Sequence, residues 1–171
     1  RVYRLDHVVD VDYYLPGCPP QPDQVKAVLL AVVKGELPPK GSVVGASEHA
    51  VCEDCPRSRN EKKVSRFYRP WEIMADPEVC LLEQGVLCAG VATRSGCGAR
   101  CPSSGIPCRG CYGPLPGVVD QGAKLASAVS SIVDSKDPEE IEQILDGLPD
   151  FTSFAYRYSA ASSLLQRSHR P

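Results

Sequence analysis

The chain has no apolar run that approaches the roughly 20 residues of a membrane-spanning helix. It also has little net charge: the formal value of −2 at pH 7 gives no electrostatic argument for binding nucleic acid or an anionic membrane surface. Internal repeats and low-complexity tracts are absent as well. We therefore expect a globular protein that neither spans a membrane nor binds nucleic acid.

The opening RVYRLDHVVDVD carries charges inside its apolar stretch, so we do not expect it to be a secretory signal peptide. We therefore expect a cytoplasmic protein, in a compartment where disulfides are rare. The cysteine count of 9 is odd, so the cysteines cannot all pair. The first residue is Arg rather than Met, which leaves open that the chain is processed or incomplete at its start.

Cysteine is what the sequence has in excess. Two cysteines form a C-x2-C pair, one stands alone, and the other six crowd into one run: Cys52 and Cys55, Cys18, then Cys80, Cys88, Cys97, Cys101, Cys108 and Cys111. Thiols at this density serve as disulfides, zinc ligands or iron–sulfur ligands. The run is also rich in glycine and proline, which predicts loops wrapped around a bound group rather than regular structure.

The spacing of the cysteines favours iron–sulfur clusters over zinc. A zinc ribbon needs two C-x2-C knuckles on a hairpin. Two pairs of the nine cysteines have that spacing, but the intervals between the other cysteines do not. A four-iron cluster is wider than one metal ion and accepts ligands from looser loops, although the spacing of a bacterial ferredoxin is absent. By position the cysteines form two sets of four with Cys18 left over: Cys52, Cys55, Cys80 and Cys88, then Cys97, Cys101, Cys108 and Cys111.

Cys18 lies between a predicted strand and a predicted helix. Residues 8–15 alternate between apolar and polar side chains, which predicts a strand that stands alone unless sequence outside this chain supplies neighbours. From Pro22 to Gly35 the apolar residues recur at helical spacing. Ligands of α/β sheets bind beyond the carboxyl ends of strands, so Cys18 is either a ligand there or an ordinary structural cysteine.

The remaining elements are assigned from shorter signals. Residues 36–50 read as a connection, and the basic residues after Cys55 (Arg57, Arg59, Lys62 and Lys63) read as a solvated face in preference to counter-charges for a thiolate cluster. A short helix over 77–84 would carry Cys80. Helices are predicted over 118–133 and 138–146, the second with Asp137 as its N-cap. The tail from Phe151 onward has no clear period.

Four segments carry a family pattern: PGCPPQPDQV, VCEDCPR, CLLEQGVLCAGVATRSGCGARCPSSGIPCRGCYGP and DQGAK. They resemble the small, electron-transferring subunit of cytoplasmic [NiFe] hydrogenases of group 3, which includes the methyl-viologen-reducing type. The resemblance covers nearly the whole chain and is most specific from Cys80 to Pro114. It implies an α+β or irregular fold, in which the C-terminal remnant of a flavodoxin-like α/β domain precedes a loop-rich, mainly helical iron–sulfur domain. We expect the boundaries 1–40, 41–117 and 118–171, with a helical last region.

The resemblance also implies the cofactors. Cys18 would complete a proximal [4Fe-4S] cluster whose other ligands lie outside this sequence. Two further [4Fe-4S] clusters would be held by this chain, a medial one by Cys97, Cys101, Cys108 and Cys111 and a distal one by Cys52, Cys55, Cys80 and Cys88. Membrane-type relatives use a histidine in the distal set, so His49, in H-x2-C spacing with Cys52, is a substitute ligand that the cysteine count disfavours.

The implied function is electron relay between the Ni–Fe site of a large subunit and an acceptor subunit, itself a flavin or iron–sulfur protein. No residue of this chain is assigned a catalytic role, and the chain would act as one subunit of a hydrogenase. Two alternatives stay open. One is the iron–sulfur subunit of a respiratory or sulfur-reducing oxidoreductase without nickel, and the other is a zinc-binding interaction module.

Overall fold

The computed structural model describes residues 3–60, 63–148 and 150–165. These parts form six short α-helices, three 3₁₀ helices and one two-stranded parallel sheet, connected by long irregular segments. The helices are α1 (Pro22–Lys34), α2 (Val51–Asp54), α3 (Arg100–Ser103), α4 (Gln121–Ser130), α5 (Pro138–Asp146) and α6 (Phe151–Ala155). The predicted α+β, loop-rich class is confirmed at this level.

The strand predicted over residues 8–15 is largely wrong. A 3₁₀ helix occupies Leu5–His7, and only Tyr13–Tyr14 (β1) is extended and paired. Its partner comes from this chain: Ser42–Val43 (β2) pairs with it in parallel, so the expectation of a solitary strand is wrong too. Alternation of side chains records a conformational preference, but a strand persists only where a neighbour accepts its backbone hydrogen bonds.

Helix α1 has the predicted bounds. Pro22 occupies its first turn, and Gly35 ends it in the left-handed conformation at φ 71°, which glycine adopts without strain. Its apolar side is mostly exposed, with Leu29 at 59% and Val33 at 84% of their full exposure. The buried residue of the helix is instead Gln24.

Isolated bridges hold the cysteine-rich region together, since it has little regular structure. Ala50 pairs with Arg94, Ser58 with Val79, and Tyr68 with Val86. The helix predicted over 77–84 is absent: residues 81–85 form turns, closed by bonds such as the Val86 amide to the Leu81 carbonyl (2.9 Å). Each bridge joins segments that are distant in sequence, so the loops are fixed by tertiary pairing.

The C-terminal helices close the core. Helix α4 begins later than predicted, with Asp120 as its N-cap, and buries Gly122, Leu125 and Val129. Helix α5 has the predicted bounds and the predicted Asp137 cap. The tail packs back through α6, which contacts α4 and buries Ala155. One core results, and its most buried large residues are Val51, Leu81, Val86, Leu125 and Val129. No helix in the described ranges is long and apolar enough to cross a membrane.

Candidate functional site

All nine cysteines lie in the described part of the chain, and all nine are free thiols. Two of them, Cys88 and Cys108, are buried; Cys18 and Cys101 are exposed, and the others lie between these extremes. Among residues 3–60, 63–148 and 150–165, no three side chains of His, Cys, Asp or Glu converge closely enough to bind a single metal ion.

The first set of cysteines lines one cavity. Its wall contains four thiols, two arginines and a glycine: Cys52, Cys55, Cys80, Cys88, Arg57, Arg59 and Gly90. Gly90 passes so close that a Cβ atom there would lie 3.2 Å from the Cys52 sulfur and 3.7 Å from the Cys88 sulfur. A residue without a side chain therefore lets the backbone approach two thiols at once.

Three pairings bring these four thiols together. The Val51 amide donates to the Thr93 carbonyl (2.9 Å), which sets α2 and its Cys52 beside the 3₁₀ helix Ala89–Ala92. The Cys80 amide donates to the Ser58 carbonyl (2.8 Å), which brings Cys80 beside the segment that follows Cys55. The Tyr68–Val86 bridge then fixes the strand-like approach to Cys88.

The second set is less enclosed. Cys101 lies on α3, and the Ile106 amide returns to the Cys101 carbonyl (2.9 Å), so the loop that leads to Cys108 starts beside α3. Burial raises the pKa of the Cys111 thiol, and the nearby charges of Cys97 and Cys101 raise it further. Cys97 and Cys101 therefore lie near Cys111, and Cys108, the buried member of the set, also lies near Cys111.

A left-handed turn shapes this second set. Ala99 has φ 50° and no exposed surface, although it carries a side chain in a region that favours glycine. It caps α3, and Gly98 before it has φ 62°. The two residues reverse the chain between Cys97 and Cys101, so both thiols can face the same space.

One hydrogen bond joins the two sets. The amide of Cys108 donates to the sulfur of Cys88 at 3.3 Å, and the Ala89 amide donates to the Cys108 carbonyl at 2.9 Å. The Cys88 sulfur is therefore connected to the Cys108 sulfur by the Cys108 amide hydrogen bond, followed by the N–Cα–Cβ–Sγ bonds of Cys108. The buried cysteine of each set is thus the one that faces the other set.

Burial strongly disfavours bare thiolates here. It raises the pKa of Cys52 to about 11 and that of Cys88 to about 12. Burial also raises the pKa of Cys108 to about 12, where the Gly110 amide and the Thr93 hydroxyl act in the opposite direction. Such thiols stay protonated near neutral pH, and binding to a metal centre is what would deprotonate them.

Arg57 is the site residue that sequence reasoning misplaced, because the basic run was read as a solvated face. The Arg57 side chain is only 7% exposed and lies in the wall of the first cavity. Arg59 is exposed, as predicted, but it also lines this cavity, and its charge opposes the rise in the pKa of Cys52. Lys62 lies outside the described residues. The signal that could have identified Arg57 is its position directly after Cys55-Pro56.

Thr93 and Gly90 were missed altogether. Thr93 is 1% exposed, and its hydroxyl donates to the Ala89 carbonyl (2.5 Å) while accepting from the Gln121 side chain (3.1 Å). Neither residue has a sequence signal, since a lone threonine and a lone glycine between cysteines are ordinary in composition.

The two remaining candidate ligands lie apart from the first cavity. The backbone amide of Cys18 hydrogen-bonds to Cys111, so Cys18 lies beside the second set. His49 is engaged elsewhere: its Nε2 is 2.9 Å from Asp54 Oδ1, and Asp54 also accepts from Ser95.

The donor set fits an iron–sulfur centre in kind. It offers thiols in fours, backbone amides of Gly90, Cys108 and Gly110 directed at sulfur, and a buried cation. Thiolate ligands with amide donors around their sulfurs are typical of iron–sulfur proteins. The fold and the site together define a multi-cysteine protein of the iron–sulfur class.

Comparison with known proteins gives the family. The chain is 41% identical over 172 residues to the iron–sulfur subunit of an F420-non-reducing hydrogenase from Archaeoglobus profundus, a match that covers 98% of this chain and 53% of that protein. It is 39% identical over 173 residues to the corresponding subunit from Methanothermobacter marburgensis, covering 96% and 53%. The corresponding subunit from Methanothermus fervidus is 40% identical over 125 residues, covering 69% of this chain and 98% of that protein.

The chain therefore belongs to the family of F420-non-reducing hydrogenase iron–sulfur subunits. It spans about half the length of the first two relatives. No protein-family model matches it.

Proposed function

We propose that this chain relays electrons within a hydrogenase of the nickel–iron type, holding two [4Fe-4S] clusters between a large subunit and an acceptor subunit. The first set of thiols would be the distal site and the second set the medial site. The acceptor would be a flavin or iron–sulfur protein, and the cytoplasm, which keeps thiols reduced, is the compartment that suits the complex.

The observation that carries this proposal is the Cys108–Cys88 hydrogen bond between the two sets. A relay needs neighbouring redox centres with a short connection, whereas two independent structural metal sites need none. The connecting residues are buried, with Cys88 at 8% and Cys108 at 6% exposure, so water is kept out of the junction.

When bound, an iron–sulfur cluster supplies one-electron redox chemistry. The protein supplies ligation, exclusion of water and hydrogen bonds that adjust the electronic properties of the ligand sulfurs. Here the amides of Gly90 and Cys108 donate to the Cys88 sulfur, and the Gly110 amide donates to the Cys108 sulfur. No residue of the chain need act as an acid, a base or a nucleophile.

Cys18 supports the placement of a third, proximal cluster. It lies in an exposed turn next to Cys111, and the hydroxyl of Tyr158 hydrogen-bonds to it. We propose that Cys18 joins ligands from the α/β domain to which β1, β2 and α1 belong, in a flavodoxin-like arrangement. The exposed apolar side of α1 would then pack inside that domain.

The experiment is a determination of iron, zinc and acid-labile sulfide per chain on protein purified anaerobically with its natural partner subunits. About eight irons with matching sulfide would indicate two four-iron clusters, and about twelve would indicate that the proximal cluster is also present. Zinc without sulfide would overturn the relay and leave an interaction module in its place.

A ligand variant locates the second site. Cys108→Ser replaces a thiolate by a much weaker iron ligand, so we expect a loss of about four irons per chain while the other clusters remain. Ser104→Ala, at an exposed residue of the same loop, is the matched control and should keep full iron content. Full iron content in the Cys108 variant would contradict the assignment of this cysteine.

A further inference from the structure

The buried side chain of Arg57 is held by neutral groups alone. Its Nε donates to the Pro102 carbonyl at 2.8 Å, and its Nη1 donates to the carbonyls of Asp76 (2.6 Å) and Val79 (2.9 Å). The ion pairs of the described residues do not include Arg57, so no carboxylate there neutralises it.

A guanidinium is charged at every physiological pH. Removing such a cation from water is costly unless it meets a counter-charge, and buried arginines are therefore normally paired. Carbonyl dipoles compensate only in part. The wall that contains Arg57 also contains Cys52, Cys55, Cys80 and Cys88, which become anionic when they ligate a metal centre.

We propose that Arg57 is the buried counter-cation of the cluster held by Cys52, Cys55, Cys80 and Cys88, and that it raises the reduction potential of this cluster. A cluster with four thiolate ligands becomes more negative with each electron that it accepts. A fixed positive charge in a poorly hydrated wall stabilises the reduced form more than the oxidised form. This inference rests on the proposed function, since it requires a cluster at this site.

A purely structural role is the competing explanation. The three carbonyl bonds join the segments at 57, 76–79 and 102, and any donor of suitable length could serve as such a clamp. The two explanations differ in what they require: the clamp needs N–H donors, whereas the counter-cation needs charge. Arg57→Gln keeps donors without charge, and Arg57→Lys keeps charge with a different donor geometry.

The test compares these two variants with the natural protein in the complete complex, by redox titration followed by electron paramagnetic resonance. We expect Arg57→Gln to lower the reduction equilibrium constant of one cluster at least tenfold, which is about 59 mV for a one-electron step. Arg57→Lys should stay within about threefold of the natural protein, which is under 30 mV. The other clusters serve as internal references, and Lys124→Gln, at an exposed residue of α4, controls for net charge.

The outcome depends on whether the cluster in the Arg57→Lys variant has the same reduction potential as the cluster in the natural protein. If the lysine variant matches the natural protein and the glutamine variant differs, in potential or in retention of the cluster, charge is what matters. If both variants differ to the same extent, or neither differs, the inference is overturned and Arg57 is a clamp. Absence of iron and sulfide from the natural protein would instead refute the proposed function itself.

Discussion

Asp120 joins the C-terminal tail to the cysteine-rich core, and its removal should loosen that connection. One carboxylate oxygen caps α4 by accepting from the Ala123 amide at 2.9 Å. The other accepts from the Leu164 amide at 2.8 Å and the Ser163 hydroxyl at 3.1 Å. Asp120 is 7% exposed, so these donors would find little water in its place.

The expected cost of Asp120→Ala follows from those bonds. Loss of an N-cap costs about 1 kcal/mol. A buried donor left without its charged acceptor costs about 1–3 kcal/mol, and the hydroxyl, which can rotate, costs less than the amide. We expect the free energy of unfolding to fall by about 3 kcal/mol, which for a domain of this size lowers Tm by about 6–12 °C.

Anaerobic thermal unfolding followed by circular dichroism measures this change, and Asp137→Ala is the matched control. Asp137 is also an aspartate N-cap, but it is exposed and accepts a single described bond, from the Glu139 amide at 2.9 Å. Its loss should cost only about 1 kcal/mol, or about 2–4 °C. Equal shifts for the two variants would refute the argument that Asp120 secures the tail.

The pH dependence provides a second check on Asp120. Burial alone would raise the pKa of its carboxyl, but the amides of Ala123 and Leu164 and the Ser163 and Tyr156 hydroxyls outweigh that effect and lower the pKa below its ordinary value of 3.8. A lowered native pKa gives stability that is present above the unfolded pKa and is lost as the pH falls through the native one. The difference in the free energy of unfolding between the natural protein and the Asp120→Ala variant should therefore be constant from about pH 8 to pH 5. A change within that range would contradict the assignment.

Two further substitutions test the packing around the thiols. Gly90→Ala should lower the iron content, because the new Cβ would lie 3.2 Å from the Cys52 sulfur. Gly147→Ala, which is also at ordinary backbone angles, is the control and should keep its iron. Equal iron content in the two variants would count against the close approach of Gly90 to the thiols. Tyr112→Phe removes the hydroxyl that donates to Gln24 at 2.8 Å, so Tm should fall by about 2–4 °C for a loss of about 1 kcal/mol. An unchanged Tm would mean that this bond contributes no stability.

Features set by local signals could be predicted, and features set by distant partners could not. Helix α5 has the predicted bounds because Asp137, Pro138 and Gly147 act within one turn of its ends. The strand at 8–15 shrank to Tyr13–Tyr14 because its length depends on where β2 lies alongside it. Likewise 77–84 has helical residues, but their backbone groups bond to segments elsewhere in the chain.

The candidate site divides in the same way. The order of the cysteines grouped Cys52, Cys55, Cys80 and Cys88 as one ligand set, and the structure places these four in the wall of one cavity. That they hold a cluster together stays a prediction. The burial of Arg57 was missed because it depends on the backbone carbonyls of residues 76, 79 and 102, and the sequence around Arg57 gives no sign that these carbonyls lie nearby. The contact between Cys88 and Cys108 could not be predicted either. The spacing of cysteines is the same whether or not the two sets that they form contact each other.

The segment between Cys88 and Cys97 and the loop between Cys108 and Cys111 are joined by a residue that belongs to neither set of cysteines. The side-chain amide of Gln121, on α4, donates to the Thr93 hydroxyl and to the Gly110 carbonyl, each at 3.1 Å. Thr93 precedes the second set in sequence and lies beside Cys108, whereas Gly110 lies between Cys108 and Cys111. Because a satisfied buried polar network resists rearrangement, one side chain fixes both loops against the core. The rate of electron transfer falls steeply with distance, so a relay requires the segments between its two centres to be rigid. Gln121 on α4 bonds to the chain at that junction.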